Sequence, residues 1–107
     1  MAEQATKREL HRALVERVRD GAGRSSAEQR AQAFAGEGLA GPLDALIGGV
    51  VTRPVRVSDA AFAAAKAAGV TDDELFELVV CAAVGHSSRL YAAGLAALAE
   101  ACGDGAV

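Results

Sequence analysis

The last third of the chain constrains the fold most, because it predicts one long helix. Thr71-Asp72-Asp73-Glu74 has the spacing of a capping box, in which the first and fourth side chains satisfy backbone N–H groups at a helix N-terminus. The acidic residues also suit the positive end of the helix dipole. The helical pattern continues to about Ala101, where Cys102-Gly103 ends it. The glycine at position 85 allows two alternatives to a straight helix, which are a kink and a break that would give two helices.

Within this helix, the segment Leu78–Val84 is apolar at every position. A helix that is apolar on all faces is surrounded by protein. We therefore expect it to be the central element, covered by the other helices or also by a neighbouring subunit. The small residues between Ala92 and Ala97 suit the close packing of a second helix.

Shorter helices are predicted before it, each from a start signal. Capping boxes at Thr6–Glu9 and Ser25–Glu28 open the first two, and Pro42 suits the first turn of the third. Ser58 caps the fourth. The connector 52–57 is expected to be extended, because a proline disfavours helix at the residue before it. The stop signals are Gly21, Gly23, Gly36, Gly38, Gly41 and Gly69. The apolar positions are Leu10, Leu14 and Val18, then Ala27, Ala31 and Phe34, then Leu43, Leu46, Ile47 and Val50, then Phe62 and Ala65.

Composition limits how such helices can be stabilised. Of 107 residues, 26 are alanine, and only 4% are aromatic although 51% are hydrophobic. A single small core built of methyl groups buries little area, so self-association can supply the missing burial. We expect an all-α single domain of about five helices over 1–107, with N-terminal helices in 1–41 and the core in 42–102. It is expected to form a homo-oligomer or to pair with a related subunit.

Charge and hydropathy exclude several classes of protein. The net charge of −3 argues against a dedicated nucleic-acid-binding protein, which normally has a basic face. No uninterrupted apolar run approaches the ~20 residues that span a bilayer. The N-terminus is polar and lacks the apolar region of a signal peptide. The expected location is the bacterial cytoplasm, without a membrane or nucleic-acid partner.

Polar residues interrupt the apolar helix at His86-Ser87-Ser88-Arg89, and Tyr91 follows. Helical spacing places His86 on a face that we expect to be buried. A second face carries Glu74, Glu77, Cys81 and Ser88, and a carboxylate near a thiol could relay protons. Cys81 and His86 lie about 140° apart around a helix at 100° per residue, so they cannot form a dyad on one unbroken helix.

Structural roles compete with these chemical ones. Cys81 is expected to be a buried thiol, because free cysteine commonly packs as a small hydrophobe. Glu74 is first a capping residue, and Glu77 is first a solvated or interface charge. Arg89 is expected to pair with an acidic group, and His11 to lie on the surface.

The two cysteines do not suggest a disulfide or a metal site. Cys81 and Cys102 would be about 31 Å apart on one helix at 1.5 Å per residue, far beyond disulfide reach. The sequence has no metal-ligand pair at helical spacing and no glycine-rich phosphate loop. We therefore expect neither a metal nor a cofactor.

The stretch from Ala65 to His86, running on to Leu98, resembles the alkylhydroperoxidase D-like superfamily, which includes carboxymuconolactone decarboxylase. The resemblance covers about residues 43–101. Its most specific part is Ala-Ala-Gly-Val-Thr-Asp-Asp-Glu followed by Phe-Glu-Leu-Val-Val. It implies an all-helical fold that usually assembles into trimers or hexamers through contacts between helices rich in small residues.

Peroxidase members of that superfamily carry a glutamate, two cysteines in a CxxC motif and a histidine. Placing the family glutamate on Glu74 puts the cysteine positions on His86 and Arg89 and the histidine position on Ala93. In the alternative register, the corresponding positions are Pro54, Val57 and Ala61. Both registers lack the cysteine pair and the histidine. The resemblance therefore implies a member without thiol peroxidase chemistry, since no resolving cysteine is present.

Three functions remain open. The first is a degenerate, non-redox family member with a structural, regulatory or partner-binding role. The second is an atypical enzyme that uses acid–base groups for decarboxylation or lactone chemistry. The third is a small-molecule binding module. The candidate catalytic residues are Glu74 and His86, and the candidate binding residues are Glu77, Cys81, Ser88, Arg89 and Tyr91.

Overall fold

The computed structural model describes residues 6–53 and 58–102, and these residues form helices joined by short connections. No strand occurs within them. The helices are α1 (Lys7–Asp20), α2 (Ala27–Ala35), α3 (Gly41–Thr52), α4 (Asp59–Ala67) and α5 (Asp72–Cys102). The expectation of an all-helical chain with five helices and a long C-terminal helix is confirmed. Most of the connector expected to be extended, residues 54–57, lies outside the described residues.

The starts of α1, α4 and α5 coincide with the predicted capping signals. At α1, the Glu9 amide donates to the Thr6 hydroxyl and the Thr6 amide donates to the Glu9 carboxylate, both at 3.0 Å. The same exchange between Thr71 and Glu74 opens α5, at 2.9 and 3.1 Å. Ser58 caps α4. These signals act over three residues, so the sequence alone is enough to locate them.

The capping box of α2 lies one residue later than predicted. Ser26, not Ser25, is the N-cap, and Gln29 takes the place expected for Glu28. The physical reason is that the Ser25 hydroxyl is bound to a carboxylate on α5.

α5 runs unbroken through Gly85, so the kink or break that this glycine left open does not occur. Gly85 instead lets α2 approach α5 closely, because a Cβ atom there would overlap the carbonyl oxygen of Phe34. α2 packs against α5 along this contact, and α3 packs against both α4 and α5.

A small core lies between these helices. The predicted stripe of α3 is confirmed, with Leu46 fully buried at its centre against Leu78 of α5. Phe62, predicted as an apolar position of α4, is 41% exposed, and Ala65 takes the buried place on that helix. The buried apolar residues are Ala33, Leu43, Leu46, Ile47, Ala65, Leu75, Leu78, Cys81 and Ala82.

The other helices of a single chain do not surround the apolar segment of α5. Leu78, Cys81 and Ala82 are buried, but Ala83 is exposed and Val84 is half-buried. The expectation of a helix covered on all faces is therefore wrong for the isolated chain. Three helices of 9 to 14 residues, α1, α2 and α3, pack against α5, and they are too short to cover a helix of 31 residues.

The second half of α5, residues 89–102, is called the projecting half, and beyond Tyr91 it extends past the packed part of the described chain. Every residue in it is exposed, including Leu90 at 61% and Leu98 at 60%. The molecule is 57 Å long and its radius of gyration is 16.7 Å, against about 13 Å for a compact chain of this length. On α1, Leu10 and Leu14 of the predicted stripe are also largely exposed.

α5 is also the single helix of the described chain that is long and apolar enough to cross a membrane by length and composition. Its most apolar 18-residue window has a mean hydropathy of 1.2. The core helix of a soluble protein can have the same properties, so this observation leaves the location of the chain open.

Candidate functional site

The predicted site residues lie at four places along α5. Glu74 is at its N-terminus, Glu77 and Cys81 face the end of α1, and Ser88 and Tyr91 face the start of α1. His86 and Arg89 line a cavity on the side of α2 and α3. One straight helix presents these side chains in different directions and at different heights, so they do not form a single site.

Glu77 is a structural ligand of the turn between α1 and α2. Its carboxylate accepts hydrogen bonds from the Arg24 amide at 2.8 and 2.9 Å, the Ser25 amide at 2.7 Å and the Ser25 hydroxyl at 2.6 Å. The Ser25 hydroxyl and amide, followed by the Arg24 amide, lower the pKa of Glu77 from 4.5 to about 2. The sequence predicted a solvated or interface charge; the carboxylate is partly exposed, and this turn of its own chain holds it.

The same turn is held from a second side by Arg30. Its guanidinium donates to the carbonyl oxygen of Gly21, and only 8% of the residue is exposed. Gly23 lets the turn approach α5, since a Cβ atom there would lie 2.9 Å from Oε1 of Glu77. The turn is thus a fixed part of the fold, and Glu77 and Arg30 are its supports.

Cys81 is buried, as predicted, with 1% of its surface exposed. Its Sγ donates to the carbonyl oxygen of Val18 at 3.1 Å, and burial raises the pKa of the thiol. A buried, protonated thiol is a poor nucleophile. Cys102 is exposed at the far end of the same helix, and both cysteines are free.

The contact between Ser88 and His11 joins α5 to the start of α1. The Ser88 hydroxyl lies 3.1 Å from Nε2 of His11, and the rings of His11 and Tyr91 are 6.0 Å apart. His11 is half-buried, so its expected place on the surface is wrong. The two partners are 77 residues apart, and no local signal in the sequence relates them.

The cavity beside His86 has a volume of about 120 Å³ and lies between α2, α3 and α5. Its polar groups are His86, Arg89, Asp44 and Thr52. His86 is half-buried, where the helical pattern predicted full burial, because its side chain borders this cavity. The remaining lining residues are Ala33, Gly36, Leu39, Ile47, Gly48, Val51 and Ala82.

Arg89 binds the C-terminal end of α2. Its Nη1 donates to the carbonyl oxygen of Phe34 at 2.6 Å, which satisfies one of the carbonyl groups that a helix end leaves unpaired. No carboxylate lies within ion-pair distance of Arg89 in residues 6–53 and 58–102. The expected pairing of Arg89 with an acidic group is thus not found within these residues, and a partner across an interface stays a prediction.

The candidate catalytic pair is not brought together. Glu74 closes the capping box of α5, and the twelve residues to His86 correspond to about 18 Å along the helix. In the alternative register, the cysteine positions of the family fall on Pro54 and Val57, which lie outside the described residues. The histidine position falls on Ala61, which is half-buried on α4. His86 shares its cavity with Arg89 and Asp44 instead. Asp44 was not among the sequence candidates, because its place depends on how α3 packs.

No match to a known protein family, to a curated protein or to a solved structure is found for this chain. Within the described parts of the chain, no group of three or more His, Cys, Asp or Glu side chains could hold a metal ion.

Proposed function

We propose that the chain is a non-redox, alkylhydroperoxidase D-like helical subunit that acts in the cytoplasm by assembling with further copies of itself. Its role is structural or partner-binding, and no thiol chemistry is required of it. The observation that carries this proposal is the projecting half of α5, which is apolar, helical and uncovered.

The projecting half continues a line of residues that already packs against a helix. Residues spaced alternately by four and three form one face of α5, as in paired helices. They are Val84, Ser88, Tyr91, Leu95, Leu98 and Cys102. α1 runs antiparallel along the lower part, since Cys81 contacts Val18 and Ser88 contacts His11. α1 begins at Lys7, beside Tyr91, and the face above Tyr91 has no neighbour among the described residues. A helix from a second chain fits this place.

The exposed apolar side chains of the projecting half support the same partner. Leu90, Leu95 and Leu98 are 61%, 45% and 60% exposed. A second chain packed on this helix would remove these side chains from water.

A second protein chain explains the projecting half better than a bilayer does. Its 14 residues are about 21 Å long, shorter than the ~30 Å hydrocarbon core of a membrane. The first half of α5 is packed against α2 and α3 and cannot supply the missing length. Glycine and alanine at positions 92–94, 96 and 97 let another helix approach closely.

The test is a double substitution on the uncovered face, Leu95→Glu with Leu98→Glu, and its readout is the native mass measured by light scattering. Leucine and glutamate have similar helix propensities, so α5 should remain helical. We expect the wild-type chain to have a mass that is a multiple of 10.8 kDa, and the double variant to have that of a monomer. Phe62→Glu is the matched control, because it also replaces an exposed apolar residue with a charged one, but on α4. It should leave the assembly intact.

Two results would overturn the proposal. One is an unchanged assembly in the double variant with normal helical content by circular dichroism. The other is a monomeric wild-type chain that binds lipid vesicles through α5, which would assign the projecting half to a membrane.

A further inference from the structure

The cavity beside His86 contains two opposite charges that do not neutralise each other. Arg89 of α5 and Asp44 of α3 both line it, yet their charged atoms are not within 4.0 Å of each other. The Arg89 guanidinium uses Nη1 for the Phe34 carbonyl oxygen and has further N–H groups to donate. The Asp44 side chain accepts no hydrogen bond from any other described residue, so both charges are available to a ligand.

The rest of the cavity is mostly apolar and small. Leu39, Ile47 and Val51 form part of its wall together with the methyl groups of Ala33 and Ala82. Its volume of about 120 Å³ is slightly below the ~150 Å³ of an engineered cavity that holds benzene. An occupant must therefore combine a short apolar group with one negative and one positive charge.

We infer that this cavity binds a small aliphatic α-amino acid. The carboxylate of the ligand lies at the Arg89 guanidinium, its ammonium group lies at the Asp44 carboxylate, and its side chain packs on the apolar wall. His86 borders the same space and offers a ring nitrogen to either polar group. Asp44 and Arg89 are both exposed at this cavity, and a plain carboxylate would gain no contact with Asp44, whereas a plain amine would gain none with Arg89.

The geometry of Gly48 provides a way to block this cavity without disturbing the core. Gly48 lines the cavity from the middle of α3, and a Cβ atom on it would have no atom within 4 Å. A larger side chain at this position thus extends into open space. It also improves the helix propensity of α3, because glycine is unfavourable inside a helix.

The experiment is isothermal titration calorimetry of the full chain with L-valine, and with two compounds that each lack one charge. Isovalerate keeps the carboxylate and the branched chain, and isobutylamine keeps the ammonium and the branched chain. We expect L-valine to bind, and each single-charge compound to bind about two- to fivefold more weakly, since each loses one charged contact with an exposed side chain.

Variants then assign the site. Asp44→Asn should weaken L-valine binding about two- to fivefold, whereas Asp59→Asn should not change it. The two aspartates form a matched pair, because each lies in the first turn of its helix. Gly48→Leu should abolish binding while the midpoint of thermal unfolding stays equal or rises.

The inference is overturned if L-valine does not bind, or if isovalerate binds as tightly as L-valine, which would indicate an anion site. It is also overturned if Asp44→Asn or Gly48→Leu folds normally and binds L-valine like the wild type. None of these results depends on the assembly state, so they are separate from the test of the proposed function.

Discussion

Glu77 shows how a partner distant in sequence decides the role of a single side chain. It stands one helical turn after a capping box, and its sequence context resembles that of many exposed glutamates. The groups that bind it, Arg24 and Ser25, are 53 and 52 residues away, respectively. The burial of Cys81 was predictable because a cysteine in an apolar segment packs inside. The contacts of Glu77 and His11 were not, because they depend on how α1 is placed.

The lowered pKa of Glu77 predicts how stability depends on pH. The carboxylate is held in its ionised form in the folded chain, with a pKa of about 2 against 4.5 for an unperturbed group. Its contribution is therefore fully present above about pH 4.5 and is lost as the pH falls towards 2. Glu77→Gln should lower the free energy of unfolding at neutral pH by about 1–2 kcal/mol, since charge-assisted hydrogen bonds at a partly solvated site are lost.

Urea unfolding at a series of pH values checks this prediction. The difference in stability between the wild type and Glu77→Gln should shrink as the pH falls from 4.5 towards 2. Glu16→Gln, at an exposed position of α1, is the control and should leave the acid dependence unchanged. A difference between wild type and Glu77→Gln that is the same at every pH would contradict this role of Glu77.

At the scale of elements, the sequence locates helix starts well and helix contacts poorly. Thr6, Ser58 and Thr71 cap helices as predicted, because capping uses groups three residues apart. The choice between Ser25 and Ser26 failed because it is decided by α5. A glycine such as Gly85 can kink a helix, end it or allow a close contact. The packed structure shows that here it lets α2 and α5 cross closely.

The close crossing of α2 and α5 predicts that Gly85 cannot be replaced. In Gly85→Ala, the added methyl group overlaps the backbone of Phe34, so the helices must move apart. We expect a loss of about 2 kcal/mol or more in the free energy of unfolding, although alanine is the better helix former.

Gly48→Ala is the matched control, since it makes the same change inside a helix where the methyl group meets no atom within 4 Å. It should raise stability by up to about 1 kcal/mol. Chemical denaturation of both variants at one protein concentration measures the two effects. Equal stabilities of Gly85→Ala and the wild type would show that the crossing is looser than the structure describes.

At the scale of the whole molecule, composition predicted a chain that needs a partner, and the structure shows which part of α5 the chain leaves exposed. The core is small, with three alanines among its nine buried apolar residues, three helices pack against α5, and the part of α5 beyond Tyr91 remains uncovered. The all-helical class followed from capping and periodicity. The family resemblance remains a prediction. The oligomer also remains one, because the structure of one chain shows its exposed surface and not the chains that would contact it.

The mass of the unmodified chain in solution tests the assembly most directly, and sedimentation equilibrium over a range of concentrations measures it. We predict a mass that is a whole multiple of 10.8 kDa and that decreases towards 10.8 kDa only on strong dilution. A mass of 10.8 kDa throughout the micromolar range would contradict the account, because the projecting half of α5 would then be stable without a second chain.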